Sequence, residues 1–250
     1  MNSPVQQSPS TEPLSEIVAR LARAQKSNRG APAYSRWVNR PAGRLLAAVA
    51  YRLGRTPNQV TAVSAALTFS GVLLVAVLPA TVPTGVLVAA LLMAGYAFDA
   101  ADGQLARLRG GGSPAGEWLD HVVDCTKSAS IHLAVLVSWY RWFDLPDERL
   151  LLVPLLFAVQ TSVFFFAVIL TEQLRKAAGV RPPPRPVTET APALRSVVVL
   201  PADYGLLCVL FVLLGAHPVF VVAYTALAVV NVGILLAAAR NWYGQMRALG

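Results

Sequence analysis

The chain has 250 residues, 55% hydrophobic and only 14% charged, with a mean hydropathy of +0.54; no soluble domain of this length needs so much apolar side chain, and the composition reads as an integral membrane protein. A net charge of +8 and an isoelectric point near 10.0 would suit nucleic acid, but the basic residues flank apolar runs and form no soluble face. Nucleic acid is therefore excluded as a partner in favour of anionic lipid headgroups or phosphate-bearing substrates.

In chain order, residues 1–33 open on "MNSPVQQSPSTEP", which lacks the apolar core of a signal peptide, and continue into the short amphipathic stretch "LSEIVARLARAQK". They are expected to be a flexible cytoplasmic segment, mobile or peripheral to a membrane domain that occupies residues 34–250. That domain starts with "YSRWVNRPAGRLLAAVAYRLGR", where Arg36, Arg40, Arg44 and Arg52 alternate with Trp37, Leu45, Leu46, Val49 and Leu53 at helical spacing. Such a helix lies in the membrane surface. Six apolar runs long enough to cross a bilayer follow, near 60–80, 83–106, 117–139, 149–173, 196–214 and 218–239. The fold class expected is thus an all-α integral membrane protein with six transmembrane helices and an N-terminal interfacial amphipathic helix.

Lys and Arg concentrate before the first run, after the second (Arg107, Arg109), after the fourth (Arg175, Lys176, Arg181, Arg185, Arg195) and in the tail (Arg240, Arg247). The intervening loops on the other side carry only Arg141 and Arg149. By the excess of positive charge in cytoplasmic loops, both termini face the cytoplasm. Cys125 and Cys208 lie far apart in apolar segments and suggest neither a disulfide framework nor a metal site.

The facing ends of the second and third runs carry "FDAADGQLARLRGGGSPAGEWLDHVVD", residues 98–124, with Asp99, Asp102, Asp120 and Asp124. A carboxylate at the edge of a bilayer is costly unless paired, metal-bound or wetted, so ionisable residues there are rare and usually functional. At 3.6 residues per turn, Asp99, Asp102 and Ala106 share a face of one helix, with Gly103 and Arg107 on its margin. Gly116, Asp120 and Asp124 share a face of the next, with Lys127 behind them. The short turn "RGGGSP" makes the two helices antiparallel and brings the carboxylates to one depth. Four carboxylates so close repel unless cations sit between them. Hard oxygen donors suit Mg²⁺ or Mn²⁺, and glycines at 103 and 116 leave room for a phosphate ester beside the metal.

The spacing D-x2-D-G-x2-A-R-x8-G-x3-D-x3-D, met at Asp99, Asp102, Gly103, Ala106, Arg107, Gly116, Asp120 and Asp124, resembles the signature of the CDP-alcohol phosphotransferase family. The upstream "TPNQVT" is similar to the start of that family's first span. The resemblance implies transfer of a substituted phosphate group from a CDP-alcohol to an acceptor alcohol, with release of CMP, in phospholipid-type biosynthesis. It implies two divalent ions, Mg²⁺ or Mn²⁺, with Asp99, Asp102 and Asp120 as ligands and Asp124 near the second ion. Asp124 is also implied as the general base. Pro57, Asn58, Thr61, Asp102, Gly103, Ala106, Arg107 and Gly116 would shape the CDP site.

Charge placement adds candidates for the acceptor. Lys127 either holds an acceptor phosphate or serves as counter-ion to the carboxylates, and Arg195 and Asp203 either pair with each other or line the acceptor pocket. His121, His132 and His217 have no spacing that suggests a metal and are expected to be structural or interfacial. The partners expected are a CDP-alcohol, an acceptor alcohol, membrane lipids and a second copy of the chain. "SPAGEWLDH" is similar to "SPLGELFDH" of eukaryotic choline and ethanolamine phosphotransferases, whereas "SRWVNRPAGR" resembles prokaryotic members acting on inositol phosphates. Two other classes compete: an ion-coupled transporter, which would place carboxylates near mid-membrane in repeated halves, and an inactive scaffold of the same fold, which would lack one of the four aspartates.

Overall fold

The computed structural model describes residues 10–23, 31–180, 196 and 199–249, and among them the protein is all helix, with no strand. Helix α1 is Leu14–Arg23. A five-residue π-helix, Ser35–Asn39, runs straight into α2, Arg40–Arg52. Then come α3 (Pro57–Val77), α4 (Val82–Leu108), α5 (Pro114–Trp142), α6 (Leu152–Ala177), α7 (Tyr204–Leu210) and α8 (His217–Arg247).

Three of these helices begin on the same local device. Thr56, Thr81 and Ser113 accept a hydrogen bond from the backbone N–H of Gln59, Thr84 and Gly116, and a proline occupies the first turn of each helix. Thr56 and Gln59 complete a reciprocal capping box. These caps fix where α3, α4 and α5 start, and therefore the register of the aspartates on α4 and α5.

Four helical stretches are long and apolar enough to cross a bilayer: Pro57–Val77, Val82–Leu108, Glu148–Ala177 and His217–Arg247. Their apolar side chains point outward as well as inward, with Leu73, Phe166, Val222 and Leu236 all more than half exposed, which in water would be a large liability and in lipid is the expected state. The chain is a multi-pass membrane protein. At 29 residues α5 matches their length but carries Glu117, Asp120, Asp124 and Lys127 in its first half. The segment expected as the fifth span is represented by the ten-residue apolar stretch Tyr204–Leu213, about 15 Å at 1.5 Å per residue.

Small residues let α3 pack tightly against α4. Ser64 Oγ donates to the Gly95 carbonyl oxygen at 2.8 Å, and a Cβ on Gly95 would run into Thr68 Oγ1, the Thr68 nitrogen at 3.1 Å and the Ser64 oxygen at 3.2 Å. Gly95→Ala is accordingly expected to destabilise the fold by about 1–3 kcal/mol, since backbone must move to admit the methyl group; a lowered apparent melting temperature of the detergent-solubilised protein checks this.

Two apolar clusters bracket the region of the aspartates. The larger holds Val88, Leu92, Val135, Trp139, Phe211, Phe220 and Tyr224 from α4, α5, α8 and the turn after α7. The smaller joins α1, α2, α3 and α4 through Ile17, Leu21, Ala47, Val60, Ala101 and Leu105. Residues 14–23, placed by their sequence in a mobile or peripheral segment, form a peripheral helix that is docked: Ile17 and Leu21, one turn apart, are fully buried.

Candidate active site

Backbones of α4 and α5 have little contact with each other, because each packs on α3 instead. The turn between them is opened by Gly110 (φ 90°) and Gly111 (φ 130°), a region of backbone space that residues with a Cβ rarely enter. The result is a cleft with α3 at its back and acidic side chains on its two walls. One carboxylate oxygen each from Asp99, Asp120 and Asp124 lies within 4.8 Å of the others. Asp102, one turn beyond Asp99, points to α3: it is only 5% exposed and accepts a 2.6 Å hydrogen bond from Thr61 Oγ1. That bond supplies the polar partner that a buried carboxylate requires.

The cation expected behind the aspartates is Lys127, which is buried on α5. Its ammonium donates to Asp99 Oδ1 at 2.7 Å and is ion-paired with Asp124 as well, so it draws α4 and α5 together at the cleft. His121 Nδ1 stands 3.5 Å from Asp120 Oδ2 and is edge-on to Phe165; its adjacency to Asp120 in the sequence was the available signal for that contact.

Around the carboxylates the other sequence candidates fall as follows. Asn58, at the start of α3, stands over Gly116 at the start of α5, where an added Cβ would meet Asn58 Oδ1 at 3.0 Å. Gly103 faces the Arg107 guanidinium, 3.5 Å from the position of a Cβ, and Arg107 Nε is buried without a hydrogen-bond partner among the described residues. Ala106 lies across from the glycine turn, its carbonyl accepting from Gly111 N–H at 3.0 Å. Pro57 provides the carbonyl that Thr61 Oγ1 also contacts at 3.1 Å. Contacts thus link Pro57 and Thr61 to Asp102, Asn58 to Gly116, and Arg107 to Gly103. Asp203 is buried at the head of α7, with its carboxylate engaged by protein groups. Arg195 lies outside the described residues.

One to two turns farther along α5 than Asp124 is a cavity of about 190 Å³ between α5, α6, α7 and α8, lined by Ser128, His132, Phe157, Thr161, Asp203 and Tyr204 among others. His132 is held there by Tyr224 OH at 2.6 Å and Thr161 Oγ1 at 3.2 Å. His217 Nε2 lies 2.8 Å from the Ala80 carbonyl oxygen. Both are in structural contacts.

Two carboxylate-bearing helices joined by a glycine turn, with Arg107 nearby whose Nε has no hydrogen-bond partner among the described residues, form an arrangement suited to a charged phosphate ester. Residues 55–238 match the family described as CDP-alcohol phosphatidyltransferase. The chain belongs to the CDP-alcohol phosphatidyltransferase family. The match takes in α3 to α7 and most of α8, and the whole signature lies inside it. A phosphatidylinositol phosphate synthase of Corynebacterium glutamicum is 37% identical over 98 residues, 38% of this chain. The aligned region spans 42% of that relative's length. Members of this family generally depend on a divalent metal, and the donor set fits one. Asp99, Asp120 and Asp124 offer hard oxygens converging within 4.8 Å, and Lys127 already sits among them as a compensating positive charge.

Proposed function

We propose that this protein transfers a substituted phosphate group from a CDP-alcohol to an acceptor alcohol and releases CMP, in phospholipid-type biosynthesis. The observation that carries the reading is the convergence of Asp99, Asp120 and Asp124 beside Arg107 in a chain whose family match spans them.

In this reading Asp99, Asp120 and Asp124 hold Mg²⁺ or Mn²⁺, two ions in all, and Asp102 contributes from its place against Thr61. Metal bound there supplies charge neutralisation on the diphosphate and on the departing phosphate. Arg107 donates charge-assisted hydrogen bonds to the diphosphate. Pro57, Asn58, Thr61, Gly103, Ala106 and Gly116 shape the nucleotide pocket, the two glycines by leaving space. Asp124 takes the proton from the acceptor hydroxyl. The acceptor oxygen bonds to the phosphorus next to the transferred alcohol, the bond from that phosphorus to the bridging oxygen breaks, and CMP leaves with the electron pair.

The membrane arrangement proposed has six crossings. Two are added to the four long apolar helices: α5, whose charged first half opens on the cleft, and the segment around Tyr204–Leu213. The helix Ser35–Arg52 lies in the headgroup plane, with Trp37, Leu45, Val49 and Leu53 exposed to acyl chains and its arginines to phosphates. Both termini and the cleft face the cytoplasm, residues 34–250 form the membrane domain, and lipid or a second copy of the chain covers the outer apolar faces.

For the acceptor, the name of the Corynebacterium relative, phosphatidylinositol phosphate synthase, supports a phosphorylated alcohol of the inositol type. Lys127 is committed to Asp99 and Asp124, which favours its counter-ion role; of the two cations proposed for an acceptor phosphate, Arg195 is then the one to test. Incubating the purified protein with CDP-diacylglycerol and a panel of acceptors, with CMP as readout, tests the reading. Inositol phosphate is expected to support release, and Arg195→Gln to raise its apparent KM about ten-fold with the KM for the CDP-alcohol unchanged. Release with neutral alcohols only would overturn the phosphorylated acceptor.

A further inference from the structure

Asp203 does not line the cleft with a free carboxylate. It is 3% exposed, and three donors from three elements converge on it. Oδ2 accepts from the backbone N–H of Ser35, at the start of the interfacial helix, at 2.8 Å. Oδ1 accepts from the Gly205 N–H at 3.0 Å, capping α7, and from Tyr96 OH, on α4, at 3.4 Å. A buried carboxylate so engaged fixes the position of each group that donates to it.

Those positions matter because of what stands next to them. Tyr96 is one turn before Asp99 on α4. Tyr204, the residue after Asp203, meets the Tyr96 ring edge-on at 5.3 Å between centroids, and its face is 5.8 Å from the Lys127 ammonium. Tyr34 stacks parallel to Tyr96 at 6.2 Å and lies where a Cβ on Gly205 would have to go. The aromatic wall Tyr34–Tyr96–Tyr204 is thus pinned at one end by Asp203, and its other end backs the lysine that joins Asp99 to Asp124. A cation held against a ring face gains electrostatic stabilisation and loses freedom to swing.

We infer that Asp203 is a positioning residue: through Tyr96 and Tyr204 it sets where Lys127 holds Asp99 and Asp124, and so tunes how the carboxylate cluster binds a divalent cation. The inference rests on the proposed metal-dependent reading of the cleft. Lys127 is one contact removed from the ligands, a kind of partner whose alteration changes metal affinity about 10- to 100-fold, and Asp203 acts on it through the ring of Tyr204.

The test is the dissociation constant for Mn²⁺, read by electron paramagnetic resonance on the purified full-length protein in lipid nanodiscs without CDP-alcohol. Asp203→Asn places an amide against two backbone donors, and Tyr204→Leu removes the ring; each is expected to weaken Mn²⁺ binding about ten-fold or more. Tyr204→Phe, which keeps the ring, is expected to retain the unaltered affinity. The double change Asp203→Asn with Tyr204→Leu should bind no more weakly than the worse single change, because both act through one wall. Tyr224→Phe is the control for general loss of stability, since it breaks the 2.6 Å contact with His132 two turns deeper than Asp124. Unaltered Mn²⁺ affinity in Asp203→Asn, or an equal loss in Tyr224→Phe, overturns the inference. Failure of the proposed reaction is seen separately, as Mn²⁺ binding by the unaltered protein with no CMP release; the Asp203 comparison is then still decided by affinity.

Discussion

Asp124→Asn is expected to reduce CMP release by about 10²- to 10⁴-fold, the range over which a positioned general base contributes. The amide keeps the size of the carboxylate, and its oxygen can still accept from Lys127, which pairs with Asp124 in the cleft. What it loses is the capacity to take a proton from the acceptor hydroxyl and one anionic donor to the metal, for which Asp99 and Asp120 remain. The affinity for CDP-alcohol, measured by equilibrium binding to the same preparation, should therefore change little. Turnover at the level of the unaltered protein would remove Asp124 from the role of base, and an equal loss of binding and turnover would place it in substrate binding instead.

Periodicity and spacing made most of this cleft legible. Asp99 and Asp102 are three apart and Asp120 and Asp124 four apart, so each pair was expected on one face of its own helix, and the capped starts of α4 and α5 hold them at that register. Hydropathy made four of the six expected spans legible in the same way, because length and apolarity alone decide whether a helix can cross a bilayer.

Where three-dimensional partners decide, the sequence was silent. Nothing in the spacing of Asp102 indicates that its carboxylate would turn to Thr61, 41 positions earlier. That choice depends on how close α3 comes to α4, which Ser64, Thr68 and Gly95 set. Antiparallel pairing of α4 and α5 through their short turn was a fair inference from loop length, yet both helices pack on α3 and meet each other through side chains, chiefly Lys127. For Asp203, at the head of an apolar run, the sequence left two readings open, pairing with Arg195 or lining an acceptor pocket. Its donors come from positions 35, 96 and 205, a combination that only the folded chain brings together. In α1 the pair Ile17 and Leu21 carried the signal for docking, but ten residues of amphipathic helix fit a mobile segment equally well until the groove beside Ala47 and Leu105 is present.

Removing divalent cations is expected to have the second large effect, complete loss of turnover. Asp99, Asp120 and Asp124 carry three carboxylates within 4.8 Å against the single ammonium of Lys127, so the cleft is net negative when no metal is bound. A diphosphate approaching it would be repelled at short range. With the carboxylates neutralised, Arg107 and the metal can share the diphosphate charge. The competing transporter reading asks for none of this: its aspartates would bind a transported ion, and no CMP would form.

The measurement that bears most directly on the whole account is acceptor-dependent CMP release from a CDP-alcohol by the purified protein, followed before and after excess EDTA and again after adding back Mg²⁺ or Mn²⁺. The account predicts release that stops with EDTA and returns with either ion, and that is absent throughout in Asp124→Asn. Full release in excess EDTA, or no release under any of these conditions, would contradict it.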